Sequence, residues 1–430
     1  MNKEILRLAI PNILSNLSVP LLSTVDTLLM GRLSFLHIGA VGLGSMIFNF
    51  VYWNFGFLRM GTTGMAAQAY GAADSPQIIL TLGRAFLLAM FLGILAFLLQ
   101  VPLRELSFYL MNVEAAQYDL VKDYFDVRIW AAPATLGLYA MMGWYFGMQN
   151  AIFPLVLTVF INLVNISLSY WMVWVLGWEV RGVAWGTVLA QYAGLVLAIG
   201  LFAWRYAHYW QHLERRALLQ VEAFRRFLQV NWDIFVRTLC LTFAFGFFYS
   251  RSSLLGATVL ASNTILQQFL NWMSYGIDGF AYASESLVGK YKGAGQEQKL
   301  RQSILYSFAW GMLLAVLFSV LFIAFGPSLL WVFTNEEALV EASMPFLIWV
   351  ILFPVLSTPC YLWDGIFIGL TASKAMRNSM IWSLLLFLLS YYCLVPIYGN
   401  HALWAALLIL MIARGATQGW MFWRDGIQLK

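Results

Sequence analysis

The sequence predicts an all-α polytopic membrane protein. Twelve transmembrane helices form two parallel six-helix bundles, a 6+6 pseudo-repeat around a central cleft. Three observations lead there. Hydrophobic residues make up 61% of the 430 residues and charged residues only 10%, against about 25% charged in soluble chains. Apolar runs of roughly 20 residues, the length that crosses a bilayer core, recur along the whole chain. Landmarks of the first half return in order in the second.

The spans, read from amino to carboxyl terminus, are 6–30, 38–71, 78–102, 120–147, 152–176, 182–206, 223–251, 256–290, 303–333, 338–369, 374–397 and 402–423. The start, MNKEILR, leads into a long apolar run with no small-residue cleavage site, so it reads as a retained first span. The segment 207–222 is a basic, amphipathic linker, expected to rest on anionic lipid as an interfacial helix. It separates an amino-terminal bundle, 1–206, from a carboxyl-terminal bundle, 223–430. Gly71 and Gly293 are 222 residues apart, as are Gly147 and Gly369; Pro133 and Pro354 are 221 apart. Leu168-Ser169-Tyr170 returns as Leu389-Ser390-Tyr391, and Trp185 and Trp404 fall at a similar interval. Six helices per half keep the two repeats in one orientation, which puts the expected binding cavity between them.

Basic residues orient the spans. Lys3, Arg7, Arg215, Arg216, Arg225, Lys290, Lys292, Lys299, Arg301, Lys374, Arg377, Arg424 and Lys430 fall on one side. The positive-inside rule makes that side, and both termini, cytoplasmic.

Ionisable residues at membrane depth are costly and mark ion or substrate handling. The first span carries Asp26 with Asn12, Ser15, Asn16 and Ser23 on one helical face, interrupted by Pro11 and Pro20. Asp26 has no basic residue within a turn. The fifth span carries Thr158, Asn162, Asn165 and Ser169 at spacings of 4, 3 and 4, and the sixth carries Thr187 and Gln191. A second set is Asn49 and Arg59 in the second span, and Asn271, Asp278 and Glu285 on one face of the eighth. Arg237 in the seventh and Asp364 in the tenth complete it. Amides and hydroxyls in membrane helices most often join helices. Asp233 and Arg237, at i and i+4, read equally as a local ion pair, and Asp126 and Arg128 as solvated groups near the outer interface.

Catalytic patterns are missing: HExxH, GxGxxG and GxxxxGK[ST] do not occur. Cys240, Cys360 and Cys393 lie in apolar spans with no metal-binding spacing. His208 and His212 lack a third ligand. A membrane-embedded enzyme acting on lipid would need Asp278 and Glu285 as its acid/base pair, about 10 Å apart along a helix. The chain therefore reads as a transporter that uses an ion gradient and no cofactor, with nucleic acid excluded as a partner.

The strings PNILSNLSVPLLSTVDTLLMGRL, FLRMGTTGMAAQAYGA, NWDIFVRTL, YGIDGFAYASESLVGKYKGA, CYLWDGIFIG with MRNSM, and GNHALW together span nearly the entire chain. In them it resembles the multidrug and toxic compound extrusion (MATE) transporters, in their bacterial DinF-like branch. The resemblance implies a bacterial inner-membrane protein, expected as a monomer. It would exchange H+, or in the alternative Na+, for organic, cationic or amphipathic compounds. A lipid-linked flippase of the same superfamily is the other alternative; few interior basic residues (Arg59, Arg237, Arg414) argue against it. The resemblance makes Asp26 the acid of an ion-coupling site, with Asn165, Thr187, Asn162, Ser169 and Tyr124 around it. Family members commonly carry a second acid where this chain has Ser169. Asn49, Arg59, Asn271, Asp278, Glu285, Asp364 and Arg237 are then the candidates for the substrate cleft.

Overall fold

In the computed structural model the described backbone covers residues 1–31 and 35–426, with the side chains of 19–31, 35 and 215 outside the description. The chain folds as two compact units. One is Leu14–Leu228; the other is Met1–Ile13 together with Gln229–Lys430. The first helix therefore contributes residues to both, and the linker belongs to the first unit, where the sequence division had set it apart.

The helices are α1 (Asn2–Gly31), α2 (Phe35–Asn54), α3 (Phe57–Gly71), α4 (Ser75–Leu98), α5 (Gln100–Met111), α6 (Tyr118–Arg128), α7 (Ala132–Gly147), α8 (Ile152–Trp174) and α9 (Glu179–Tyr206). There follow α10 (Arg215–Leu218), α11 (Val221–Leu254), α12 (Ala257–Gly293), α13 (Glu297–Phe333), α14 (Glu337–Ser343), α15 (Leu347–Gly369), α16 (Ser373–Tyr398) and α17 (Asn400–Asp425). Nine stretches among the described residues are long and apolar enough to cross a membrane. The other predicted spans correspond to α1, to α6 with α7, and to α12. The last is a 37-residue helix made polar by Gln267, Asn271, Asp278 and Glu285. Several predicted spans are interrupted. The second breaks at residues 55–56 between α2 and α3, and the fourth tightens into a 3-10 turn at Ile129–Ala131. The tenth does the same at Met344–Phe346, so this feature is repeated in both halves.

Each unit is built on one close helix pair whose glycines explain the repeat. A Cβ on Gly147 of α7 would meet Ala66 Cβ, Ala67 N and Thr63 O of α3 at 2.6, 2.9 and 3.0 Å. A Cβ on Gly369 of α15 would meet Val288 Cβ, Gly289 N and Glu285 O of α12 at 3.0, 3.0 and 2.6 Å. All four residues of the second set lie 222 positions after those of the first, as in 369 − 147 = 222. Gly143 against Arg59 O and Gly365 against Ala281 O repeat the contact one turn earlier at the same offset. Small residues let membrane helices approach by backbone, which is where their packing energy lies. The helix caps repeat as well. Ala72 closes α3 at φ −75, ψ −4 and Ala294 closes α12 at φ −75, ψ −5.

Buried aromatic donors tie the remaining helices to these pairs. In the first unit Trp144 Nε1 donates to Ile78 O at 2.9 Å and Tyr145 Oη to Ala198 O at 2.6 Å. In the second, Asn263 Nδ2 donates to Ser252 Oγ and Asn400 Oδ1, while its Oδ1 accepts from Asn400 and Trp404. That knot joins α11, α12 and α17.

The linker is not the single interfacial helix expected. It consists of a 3-10 turn, Ala207–His212, then the four-residue α10, before α11 begins. Buried Arg84 of α4 is the physical reason: its Nη2 and Nε donate to the carbonyls of Ala217 and Leu218 at 2.8 and 3.2 Å. Those carbonyls end a helix and have no partner within it, so an arginine from another helix holds the chain there. Trp204, Trp210, Leu219 and Val221 remain exposed around it, as an interfacial segment requires.

Candidate functional site

The candidate residues fall into one group in each unit. In the Leu14–Leu228 unit, α1 and α8 are joined by two polar contacts. Ser15 Oγ donates to Thr158 Oγ1 at 2.9 Å, and Asn162 Nδ2 donates to Ser18 O at 3.3 Å. The bonded pairs differ by 143 and 144 in sequence, which is the signature of parallel helices in register. Farther along α8, Asn165 and Ser169 are fully buried. Asn165 Nδ2 donates to Thr187 Oγ1 of α9 at 2.8 Å, and Thr187 passes its own hydrogen bond to Val183 O at 2.9 Å. Asn165 Oδ1 and Ser169 Oγ have no hydrogen-bond partner among the described residues. Buried polar groups are nearly always satisfied, so two orphans four residues apart need an explanation. Asp26 belongs to the same unit by sequence, but its side chain lies outside the described residues.

Tyr124 of α6 is 2% exposed, and its hydroxyl lies 3.1 Å from Ser45 Oγ of α2. Gly44 makes room for its ring, since a Cβ there would sit 2.3 Å from Tyr124 Cδ1. Asn49 is exposed on α2, and Arg59 of α3 lies over the Phe146 ring at 5.8 Å. A separate cavity of about 600 Å³ is lined by Leu120, Asp123, Trp178, Arg181 and Trp185, with none of the candidates on its wall.

The second group is an ion cluster in the other unit. Asp364 of α15 accepts from Arg237 of α11, from Arg414 of α17 and, at 2.8 Å, from Gln418 of α17. All four are at least nine-tenths buried. Asp278 of α12 is half-buried, and Cys360 sits in the combined field of Asp278, Asp364, Arg237 and Arg414. One carboxylate thus offsets two guanidiniums by direct contact. Glu285 is fully buried one helical face along from Asp278. Asn271 donates weakly to Gln268 at 3.4 Å.

Two local expectations are corrected. Asp233 and Arg237 do not pair with each other. Asp233 takes Arg377 at 2.6 Å and Ser373 at 2.9 Å, both on α16, while Arg237 goes to Asp364. Between helices the partners are buried together and lose less to water than a pair along one face. Arg128 is not solvated either; it is 8% exposed. Gln418 carried no signal alone, but Arg414 and Gln418 at i, i+4 put two donors on one face of α17.

Comparison with known proteins fits this architecture. A family model described as MatE matches residues 11–171 and 234–392. DNA damage-inducible protein F of Escherichia coli K12 is 36% identical over 431 aligned residues, covering 99% of this chain and 93% of that protein. Protein DETOXIFICATION 44, chloroplastic, of Arabidopsis thaliana is 25% identical, covering 97% and 81%. A MOP superfamily transporter from Pyrococcus furiosus superposes with a TM-score of 0.87 at 19% identity, covering 100% and 97%; at that identity the likeness is one of fold.

Proposed function

We propose that this chain, which belongs to the MatE family of multidrug and toxin extrusion transporters, exports small organic compounds across a bacterial inner membrane in exchange for protons. The observation that carries the reading is the half-satisfied pair on α8. The register between α1 and α8, extended along the continuous α1, sets position 26 level with residues 169 and 170. Asn165 Oδ1 and Ser169 Oγ, unpartnered among the described residues, are therefore at the height of the Asp26 backbone position. Asn165 Oδ1 lacks a donor among the described residues, and a protonated carboxyl is one.

The cycle follows from that chemistry. A carboxyl in a dry, polar pocket holds its proton more tightly than in water. A protonated carboxyl is a neutral donor suited to an acceptor such as Asn165 Oδ1; an ionised one favours a conformation that admits water or a substrate cation. A ligand shifts such an equilibrium only by its difference in affinity for the two states, so proton and substrate are exchanged when they compete for that difference. With Ser169 where a second acid would stand, the site holds one carboxylate. That suits one proton better than a Na+ ion needing several charged or oxygen ligands.

The test uses purified protein in liposomes, with pH and sodium gradients imposed separately and efflux of a fluorescent organic cation recorded. Efflux driven by the pH gradient alone, and abolished by Asp26→Asn, is the expected result. Efflux driven by sodium alone overturns the proton reading. Full coupled efflux in Asp26→Asn overturns the role of Asp26.

A further inference from the structure

One buried cation of the Leu14–Leu228 unit takes no part in the site above. Arg128 closes α6, immediately before the 3-10 turn Ile129–Ala131. Ten residues of helix separate it from Tyr118, about 15 Å of rise, or half the thickness of a bilayer core. Its guanidinium carbon lies 5.4 Å from the ring centres of both Phe48 and Tyr52 on α2. The acids that flank it in sequence are already taken. Asp126 pairs with Arg104 at 2.7 Å and Asp123 with Arg181 at 2.7 Å. Arg128 Nη1 is buried without a hydrogen bond among the described residues.

Two more orphans stand beside it. The Tyr52 hydroxyl is next to Thr135 and to the Arg128 guanidinium, yet Tyr52 Oη and Thr135 Oγ1 are each buried without a hydrogen bond of normal geometry. The three residues are 6%, 5% and 8% exposed for Tyr52, Thr135 and Arg128. They come from α2, α7 and α6, at points where membrane helices are interrupted: Tyr52 just before the break at 55–56, Thr135 in the first turn after the 3-10 stretch. Interrupted helices at membrane depth mark binding sites.

A guanidinium nitrogen and two hydroxyls, converging and without a hydrogen bond of normal geometry among the described residues, make a receptor for one anionic group. Burying a charge without a partner is costly, and ring faces satisfy none of its N–H donors. The guanidinium fork suits a carboxylate better than a spherical ion. We propose that Arg128, Tyr52 and Thr135 form a subsite that binds the carboxylate of an organic substrate, so that zwitterionic and acidic amphiphiles belong to the substrate range. The inference rests on the transport reading only for its consequence; the binding itself is measured apart from transport.

The experiment uses two dyes that differ in one group: rhodamine B, with a free carboxylate, and its ethyl ester. Binding to the full chain in detergent is followed by fluorescence anisotropy, and efflux from liposomes is followed in parallel. Arg128→Gln should weaken binding of the acid about tenfold and leave the ester within twofold. Arg128→Lys, which keeps the charge without the fork, should fall between. Tyr52→Phe and Thr135→Val, nearly isosteric, should each cost the acid about threefold, and they carry the test if Arg128→Gln fails to fold. An unchanged acid-to-ester ratio in the folded variants overturns the proposal. Displacement of the acid dye by millimolar inorganic phosphate assigns the site to a free inorganic anion and overturns it too. Arg128-dependent binding without efflux supports the subsite while sinking the transport reading.

Discussion

Asp364→Ala removes the only carboxylate that directly accepts hydrogen bonds from Arg237 and Arg414 among the described residues. Asp364 and Arg237 have side chains 9% exposed, and Arg414 2%. The substitution leaves two guanidiniums and the Gln418 amide without their acceptor. Breaking a buried pair by deleting one partner costs roughly 3–5 kcal/mol. The low end of that range, about 3 kcal/mol, is the smallest loss expected. For a unit of this size each kcal/mol moves the midpoint by about 2–4 °C, which gives an apparent loss of roughly 6–12 °C. The assay is thermal unfolding in detergent at one fixed scan rate, because membrane proteins unfold irreversibly and the midpoint depends on rate. A companion variant, Arg237→Met with Asp364→Leu and Arg414→Met, replaces the whole cluster by apolar side chains of similar volume and should recover most of the loss. If Asp364→Ala melts within 2 °C of the unsubstituted protein, the cluster is not carrying the ion pairs described.

Two other outcomes follow from geometry in the same unit. Glu4 accepts from Lys290 at 3.2 Å and from the Tyr291 hydroxyl at 2.9 Å. Burial alone would raise the Glu4 carboxyl, but the Tyr291 and Lys290 hydrogen bonds and the nearby positive charges outweigh it and hold it below its ordinary value; burial and the Glu4 carboxylate push Tyr291 up to about 12. A depressed acid stabilises the fold above its unfolded value of 4.5 and loses that contribution as pH falls through the folded value. A raised tyrosine loses its contribution as pH climbs from 10 towards 12. Protection factors of the amides of residues 2–10, which correct for the pH dependence of intrinsic exchange, should therefore be high and flat between those limits and fall outside them, and Glu4→Gln should abolish the acid limb. Asn263→Leu cuts the knot among Ser252, Asn400 and Trp404. At roughly 0.6 kcal/mol per interhelical bond in a membrane protein, the loss should be about 2 kcal/mol, a fall of roughly 4–8 °C at the rate given above; no measurable change in the melting profile would mean the knot is replaceable.

What was legible in the sequence, and what was not, divides along one physical line. Spans follow from composition because lipid tolerates only helices whose backbones satisfy themselves. The repeat was legible because it is written in glycines: Gly147 and Gly369 are fixed by backbone contacts with α3 and α12 that admit no Cβ, so the spacing of small residues reports the packing directly. Polar partnerships are different. The i, i+4 rule suggested that Asp233 would take Arg237, yet both found buried partners on other helices. A sequence shows which face a charge lies on but not which helix arrives opposite. Arg84, Arg128 and Arg414 make the point three ways. All are nearly fully buried, and all are arginines in apolar spans that look alike in the chain. Arg84 is spent on the carbonyls of the linker and Arg414 on Asp364. Among the described residues, Arg128 alone of the three meets neither carboxylate nor carbonyl. Partners within the fold account for the first two arginines, carbonyls for Arg84 and a carboxylate for Arg414, and for the third the fold leaves the counter-charge to be supplied by what it binds.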